Sequence, residues 1–101
     1  IERLTGKLPT LFRPPHGKLS AAKLARLWAL GQTVVLWSAD PRDYAKSSAD
    51  DVMRWFEDQP ASAGDLVLLH DTVPYAGLFL GELARHVRAR GLELDTVDTW
   101  I

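Results

Sequence analysis

The sequence predicts an α/β domain built on parallel strands, with about four strands alternating with three helices over residues 1–101. Two observations carry that expectation. Leu66 to Leu69 are four consecutive aliphatic residues between Asp65 and His70, too short for a helix and too apolar for a half-wet strand. They predict a strand buried on both faces, as in a parallel sheet. Between such runs lie longer segments with helical spacing of apolar residues, and no repeat, linker or low-complexity tract interrupts the alternation.

In chain order, Pro9 to Phe12 is the first apolar step, followed at once by Arg13-Pro14-Pro15-His16-Gly17. Two prolines remove two backbone donors and fix φ, and Gly17 allows a conformation other residues avoid, so this loop is rigid and shaped. Ser20 is an N-cap for a helix with Ala21, Leu24, Leu27 and Trp28 on one face, stopped at Gly31. Thr33 to Trp37, β-branched and aromatic, is the second strand, and Ser38 to Tyr44 the turn-rich loop behind it. Ser48 with Asp51 three residues on reads as a capping box. It opens a short helix carrying Val52, Met53, Trp55 and Phe56 that ends before Pro60. After the Leu66–Leu69 strand, Pro74 fits a first helical turn, and Leu78, Phe79, Leu83, Ala84 and Val87 give the helical period. Arg85, Arg88 and Arg90 crowd the end where cations complement the helix dipole, and Gly91 is the C′ residue. Leu92 to Val97 alternates as an edge strand does.

Composition narrows the functional classes. Of 101 residues, 47% are hydrophobic and 25% charged with a net charge of −1, an ordinary globular balance without the basic surplus that nucleic acid or an anionic membrane requires. The absence of cysteine removes disulfides, thiolate catalysis and Cys-ligated zinc. No apolar run approaches the roughly 18 residues that span a bilayer. The opening I-E-R-L-T-G-K lacks an initiator Met and a signal-peptide pattern, as expected of the interior of a longer protein, and leaves the compartment open.

Three successive strands then deliver polar groups at their C-terminal ends: Arg13 with its Pro-Pro-His-Gly loop, Asp40 or Asp43, and His70 with Asp71. In a parallel α/β sheet those ends share one edge, where ligands and chemistry gather. Each member has a structural alternative. Asp71 or Thr72 can cap the following helix, Asp40 before Pro41 is a turn former, Asp43 can be a loop carboxylate, and His86 reads as a solvated residue of the arginine-rich helix. The chemistry such a set supports is acid–base hydrolysis, with an imidazole beside a carboxylate giving a proton to a leaving amine or alkoxide. A Ser–His–Asp triad lacks its G-x-S-x-G turn, and a zinc site of His16, His70 and an Asp lacks close ligand spacing.

F-R-P-P-H-G at Phe12 to Gly17, W-S-A-D-P-R-D-Y at Trp37 to Tyr44 and D-L-V-L-L-H-D at Asp65 to Asp71 resemble, in order and spacing, the third, fourth and fifth motifs of polysaccharide deacetylases. These are the NodB-homology enzymes of carbohydrate esterase family four. The resemblance implies half of a distorted (β/α) barrel. It also implies a metal-dependent hydrolase, using a divalent metal, often zinc, that removes acetyl groups from amino sugars of a glycan such as chitin or peptidoglycan, commonly outside the cell or in its envelope. Carried onto this chain, it makes His70 the general acid, Asp43 the group that tunes it, and Arg13 the residue that positions the catalytic base. It gives the backbone N–H of His16 to the oxyanion, and Tyr44 and Leu68 to the walls of the acetyl pocket.

The family usually has Tyr where His16 stands and Trp where Tyr44 stands; the first change spares a backbone role and the second keeps an aromatic wall. The Asp-Asp motif that supplies base and metal ligand, and the H-x-x-x-H motif that supplies two more ligands, belong upstream and are absent. This chain alone is therefore expected to hold no metal and to be inactive. A whole (β/α)₈ barrel takes about 250 residues, so open strand edges await an N-terminal half or another copy. The readings that remain are the C-terminal part of a deacetylase, a non-catalytic carbohydrate-binding or assembly domain derived from that fold, and an unrelated flavodoxin-like regulatory domain, which leaves R-P-P-H-G unexplained.

Overall fold

A computed structural model describes residues 2–99, and the chain forms two compact units, Ile1–Leu36 and Trp37–Ile101. In the first unit a single helical turn, α1 (Glu2–Thr5), precedes β1 (Leu11–Phe12), α2 (Ala21–Ala29) and β2 (Thr33–Val34). Thr33, Val34 and Val35 are β-branched and fit a pleated surface. β2 lies parallel to β1, with Leu11 opposite Thr33 and Phe12 opposite Val34. Thr33 N–H donates to Thr10 O at 2.7 Å and Val35 N–H to Phe12 O at 2.8 Å.

Helix α2 starts where a hydroxyl can cap it: Ser20 Oγ accepts the Lys23 N–H at 3.3 Å. It stops in a Schellman turn, with Gly31 at φ 71°, Gly31 N–H on Trp28 O at 2.9 Å and Gln32 N–H on Leu27 O at 3.0 Å. Its apolar stripe is only partly used. Leu27 is half-buried, whereas Leu24 and Trp28, expected on the packed face, are exposed, Trp28 to 81%.

In the second unit α3 (Ala49–Asp58) packs on α4 (Ala76–Ala89). Ser48 Oγ accepts the Asp51 N–H at 3.3 Å, as the capping spacing predicts. Val52 and Phe56, four residues apart, are fully buried against Phe79, Leu83 and Val87, which also recur at four-residue spacing, and Ala61 completes the cluster. The Phe56 and Phe79 rings stack with centroids 6.1 Å apart. Gly91, at φ 71°, ends α4 with the same Schellman pair, Gly91 N–H on Arg88 O and Leu92 N–H on Val87 O, both at 3.0 Å.

Several expectations are corrected here. The architecture is α/β and parallel, but among the described residues there are two short strands and an isolated parallel bridge, Ala39 to Val67, in place of about four strands. There are also four α-helices in place of three. A strand exists through its hydrogen-bonded neighbour. Leu66 to Leu69 meets one, at Ser38 and Ala39, while Leu92 to Val97 forms no ladder and gives way to a 3₁₀ turn at Val97–Thr99. Propensity marks a segment as suited to a strand; only partners make a ladder. Leu66 to Leu69 is accordingly half-buried rather than buried on both faces. Pro74 lies in the turn before α4, Asp71 and Thr72 do not cap that helix, and Leu78 is exposed, one position off the 79–83–87 stripe.

Candidate functional site

The site begins with how Asp43 is buried. Asp40 Oδ1 accepts the Arg42 N–H at 3.0 Å, an Asx turn, and Pro41 is fully buried beside it. Arg42 then takes φ 52°, a left-handed conformation that costs a non-glycine residue about 1 kcal/mol or more. That reversal opens the 3₁₀ turn Asp43–Ala45 and sends the Asp43 side chain inward, to 2% exposure. Asp40 is thus the turn former and Asp43 the buried carboxylate, which decides between the two.

Asp43 is satisfied on both oxygens. Oδ1 accepts the Tyr44 N–H at 3.0 Å and pairs with His70 Nδ1 at 2.7 Å, while Oδ2 accepts the His70 backbone N–H at 2.7 Å. A carboxylate only accepts, so the ring proton facing it sits on Nδ1 and the second nitrogen, Nε2, is left for other work. One side chain therefore fixes both the backbone and the imidazole of the residue at the end of the Leu66–Leu69 segment. The His70 side chain remains 37% exposed.

The segment leading to His70 is anchored at both ends. Ser38 Oγ donates to Asp65 Oδ1 at 3.0 Å and accepts the Leu66 N–H at 2.9 Å, and Leu68 N–H donates to Ala39 O at 2.9 Å. Val67 and Leu69 pack toward the helix core. The two-residue alternation of extended backbone puts Leu66 and Leu68 on the opposite face, shared with His70. Tyr44, 59% exposed, presents its ring to the imidazole in a T-shaped contact with centroids 5.1 Å apart. A cleft of about 320 Å³ opens next to His70, lined by Asp43, Asp71 and the apolar side chains of Leu69, Val73, Phe79 and Leu80.

Tyr75, which the sequence did not single out, holds the turn from behind. Its hydroxyl donates to the Asp43 carbonyl oxygen and lies 3.1 Å from the Lys46 carbonyl oxygen. Burial, followed by the nearby charges of Asp43 and Asp51, raises the phenol above its ordinary value. The only sequence signal was an aromatic hydroxyl directly before a helix, which says nothing about its acceptors. His86 also departs from expectation: it is half-buried, its ring is 5.9 Å from Phe56, and Nε2 has no hydrogen-bond partner among the described residues. Three residues after Leu83 and seven after Phe79, it flanks the buried stripe, a spacing that could have found it.

Arg13 and His16 belong to the first unit. Arg13 Nε donates to Val35 O at 3.3 Å, and Nη2 donates to Leu36 O at 3.4 Å. His16 stands at φ 56° within the 3₁₀ turn Pro15–Gly17, its N–H without an acceptor among the described residues. The structure thus brings Asp43, Tyr44 and His70 together, with Leu68 on the face of His70, and gives Arg13 and His16 defined local settings. No cluster of three or more His, Cys, Asp or Glu side chains that could hold a metal occurs among the described residues.

No family model matches the chain. It is 33% identical over 99 residues to a bifunctional xylanase/xylan deacetylase of Cellvibrio japonicus, covering 97% of this chain and 15% of that protein. It is 40% identical over 67 residues to a peptidoglycan-N-acetylglucosamine deacetylase of Bacillus cereus, covering 64% of this chain and 31% of the relative. The solved peptidoglycan deacetylase PdaC of Bacillus subtilis superimposes with a TM-score of 0.84 at 26% identity, over 97% of this chain and 46% of that one. The chain thus spans well under half the length of the curated relatives it matches and just under half of that structure.

Proposed function

The chain is homologous to the polysaccharide deacetylases, the NodB-homology carbohydrate esterases of family four, and from that premise we propose that residues 1–101 are the C-terminal part of such a domain. In the whole polypeptide the domain is a metal-dependent deacetylase that hydrolyses N-acetyl groups of amino sugars in a glycan such as chitin or peptidoglycan. The observation that carries the reading is the His70 Nδ1–Asp43 Oδ1 contact of 2.7 Å, made by a buried carboxylate to a half-exposed imidazole.

With Nδ1–H held by Asp43, a protonated His70 offers its Nε2–H outward. Once water has added to the acetyl carbon, the C–N bond breaks only if the departing amine nitrogen takes up a proton. Nε2 supplies it, and the ring that remains is neutral with its other proton still on Nδ1, facing Asp43. Tyr44, edge-on to the imidazole, and Leu68, on the same face, are the apolar walls for the acetyl methyl. The resemblance gives the oxyanion to the backbone N–H of His16, which has no acceptor among the described residues. Arg13 has the role of positioning the base, which this chain does not supply.

Family-four carbohydrate esterases are metal-dependent. The described residues do not fit that metal: they form no three-ligand cluster, and Nδ1 of His70 is committed to Asp43. Under this reading the ligands and the base come from an N-terminal half of the barrel, in the same polypeptide or another copy, and this chain completes the barrel with its parallel segments.

Acetate release from N-acetylated chitooligosaccharides and peptidoglycan by the whole polypeptide tests the reading. Replacing His70 by Ala should lower the rate about 10²–10⁴-fold, the usual worth of a positioned acid; an unchanged rate would remove His70 from the chemistry. The missing ligand cluster also favours a second reading, a non-catalytic carbohydrate-binding domain derived from the fold. Glycan binding without metal uptake or acetate release would select it.

A further inference from the structure

We infer that Tyr75 is a positioning residue for the His70–Asp43 pair, setting the imidazole tautomer by clamping the turn from which Asp43 reaches His70. The inference rests on the reading of that pair as the proton-donating unit. Asp43 orients the imidazole only while its own peptide is fixed. On the N-terminal side that peptide is held locally, by the Arg42 N–H on Asp40 Oδ1 at 3.0 Å and the Ala45 N–H on Arg42 O at 2.9 Å, with Arg42 in a left-handed conformation. The C-terminal side adds the long-range restraint. Lys46 N–H donates to Asp43 O at 3.2 Å, closing the 3₁₀ turn, and the Tyr75 hydroxyl reaches carbonyls at both ends of it, those of Asp43 and Lys46.

Tyr75 is itself well held. It is the N-cap residue of α4, its carbonyl accepts the Phe79 N–H at 3.1 Å, and its ring packs against the buried Val52–Phe56–Phe79 cluster. The clamp therefore ties the acid pair to the rigid helix pair, across 32 residues of sequence. Without the hydroxyl the turn keeps the Lys46 N–H bond and loses its link to α4, so the carboxylate can swing and His70 Nδ1–H can lose its acceptor. Burial, and then the charges of Asp43 and Asp51, hold the phenol pKa above its ordinary value. It therefore remains a donor wherever an imidazole titrates.

The test reads the tautomer of neutral His70 by nitrogen NMR of the whole polypeptide at about pH 9, where an ordinary imidazole is uncharged. In Tyr75→Phe, which keeps the ring and removes the donor, the ratio of Nδ1–H to Nε2–H should fall about fivefold, the factor one net hydrogen bond contributes to an equilibrium. Val87→Ala, a core truncation on the far part of α4, should lower stability and leave the ratio alone. If Tyr75→Phe leaves the wild-type ratio while Asp43→Asn moves it, the clamp is refuted and the pair stands. Should Asp43→Asn leave it as well, the pair itself fails. If Tyr75→Phe does not fold, the same ratio is followed in Tyr44→Phe protein while the Tyr75 phenol is titrated with alkali. A ratio that falls together with phenolate formation supports the clamp, and one that holds through it refutes the clamp.

Discussion

Replacing Asp43 by Asn is the most informative perturbation, because it alters one atom of a group that is 2% exposed and accepts three hydrogen bonds. An amide has one accepting end. With its oxygen at the Oδ2 position, the substituted side chain keeps the His70 N–H and turns its NH₂ toward the Tyr44 N–H, donor against donor. With its oxygen at the Oδ1 position it keeps Tyr44 and opposes the His70 N–H instead. Either way one part-buried backbone N–H loses its acceptor, which costs about 1–3 kcal/mol. In the first arrangement the amide NH₂ also faces His70 Nδ1, and that contact survives only if the ring proton moves to Nε2. The expected result is a loss of about 1–3 kcal/mol in urea unfolding with an unchanged denaturant slope, together with a tautomer switch at His70 by nitrogen NMR. A variant within ~0.5 kcal/mol of wild type, the spread of neutral surface changes, with an unaltered imidazole would refute the argument that this carboxylate holds the ring.

Phe56→Ala should cost about 3–5 kcal/mol, because Phe56 is fully buried and stacked on Phe79; chemical denaturation gives the value. Ser48→Ala removes the acceptor of the Asp51 N–H and should cost about 0.5–2 kcal/mol, with fraying of α3 visible in amide exchange. The raised Tyr75 phenol has a pH signature whose sign is fixed. The folded state holds that proton more tightly than the unfolded chain, so the stabilisation is complete below the ordinary phenol value and is lost as pH rises through the higher folded one. Wild type should therefore lose stability relative to Tyr75→Phe in the alkaline range, and a pH-independent difference would refute the coupling.

The two helix starts and the two glycine-terminated helix ends were legible in the sequence because each is a local event. Ser20 and Ser48 cap N–H groups three residues on, and Gly31 and Gly91 take the left-handed position that other residues resist. The buried faces of α3 and α4 were legible for a related reason, since residues four apart share a face whatever they pack against. Strands were less so. Leu92 to Val97 carries the alternation of a strand and makes no ladder among the described residues, because alternation describes one segment and a ladder needs two.

His70 at the end of its apolar run, with Asp40 or Asp43 as partner, was readable as a candidate from residue type and position. Residue type and position left the two carboxylates open, and only the family resemblance named Asp43. That choice depends on the Arg42 backbone turning left-handed, which sends Asp43 inward to meet a residue 27 positions away and leaves Asp40 to the turn. Tyr75 lay further out of reach, since its hydroxyl bonds backbone carbonyls, which every residue carries and no sequence marks. The residues alone were enough for α2, α3 and α4, for the list of candidate site residues and for the resemblance they share, though not for the short α1. How Asp43 grips the imidazole, and what in turn grips Asp43, came from the fold alone, because both are long-range contacts whose geometry is set by burial.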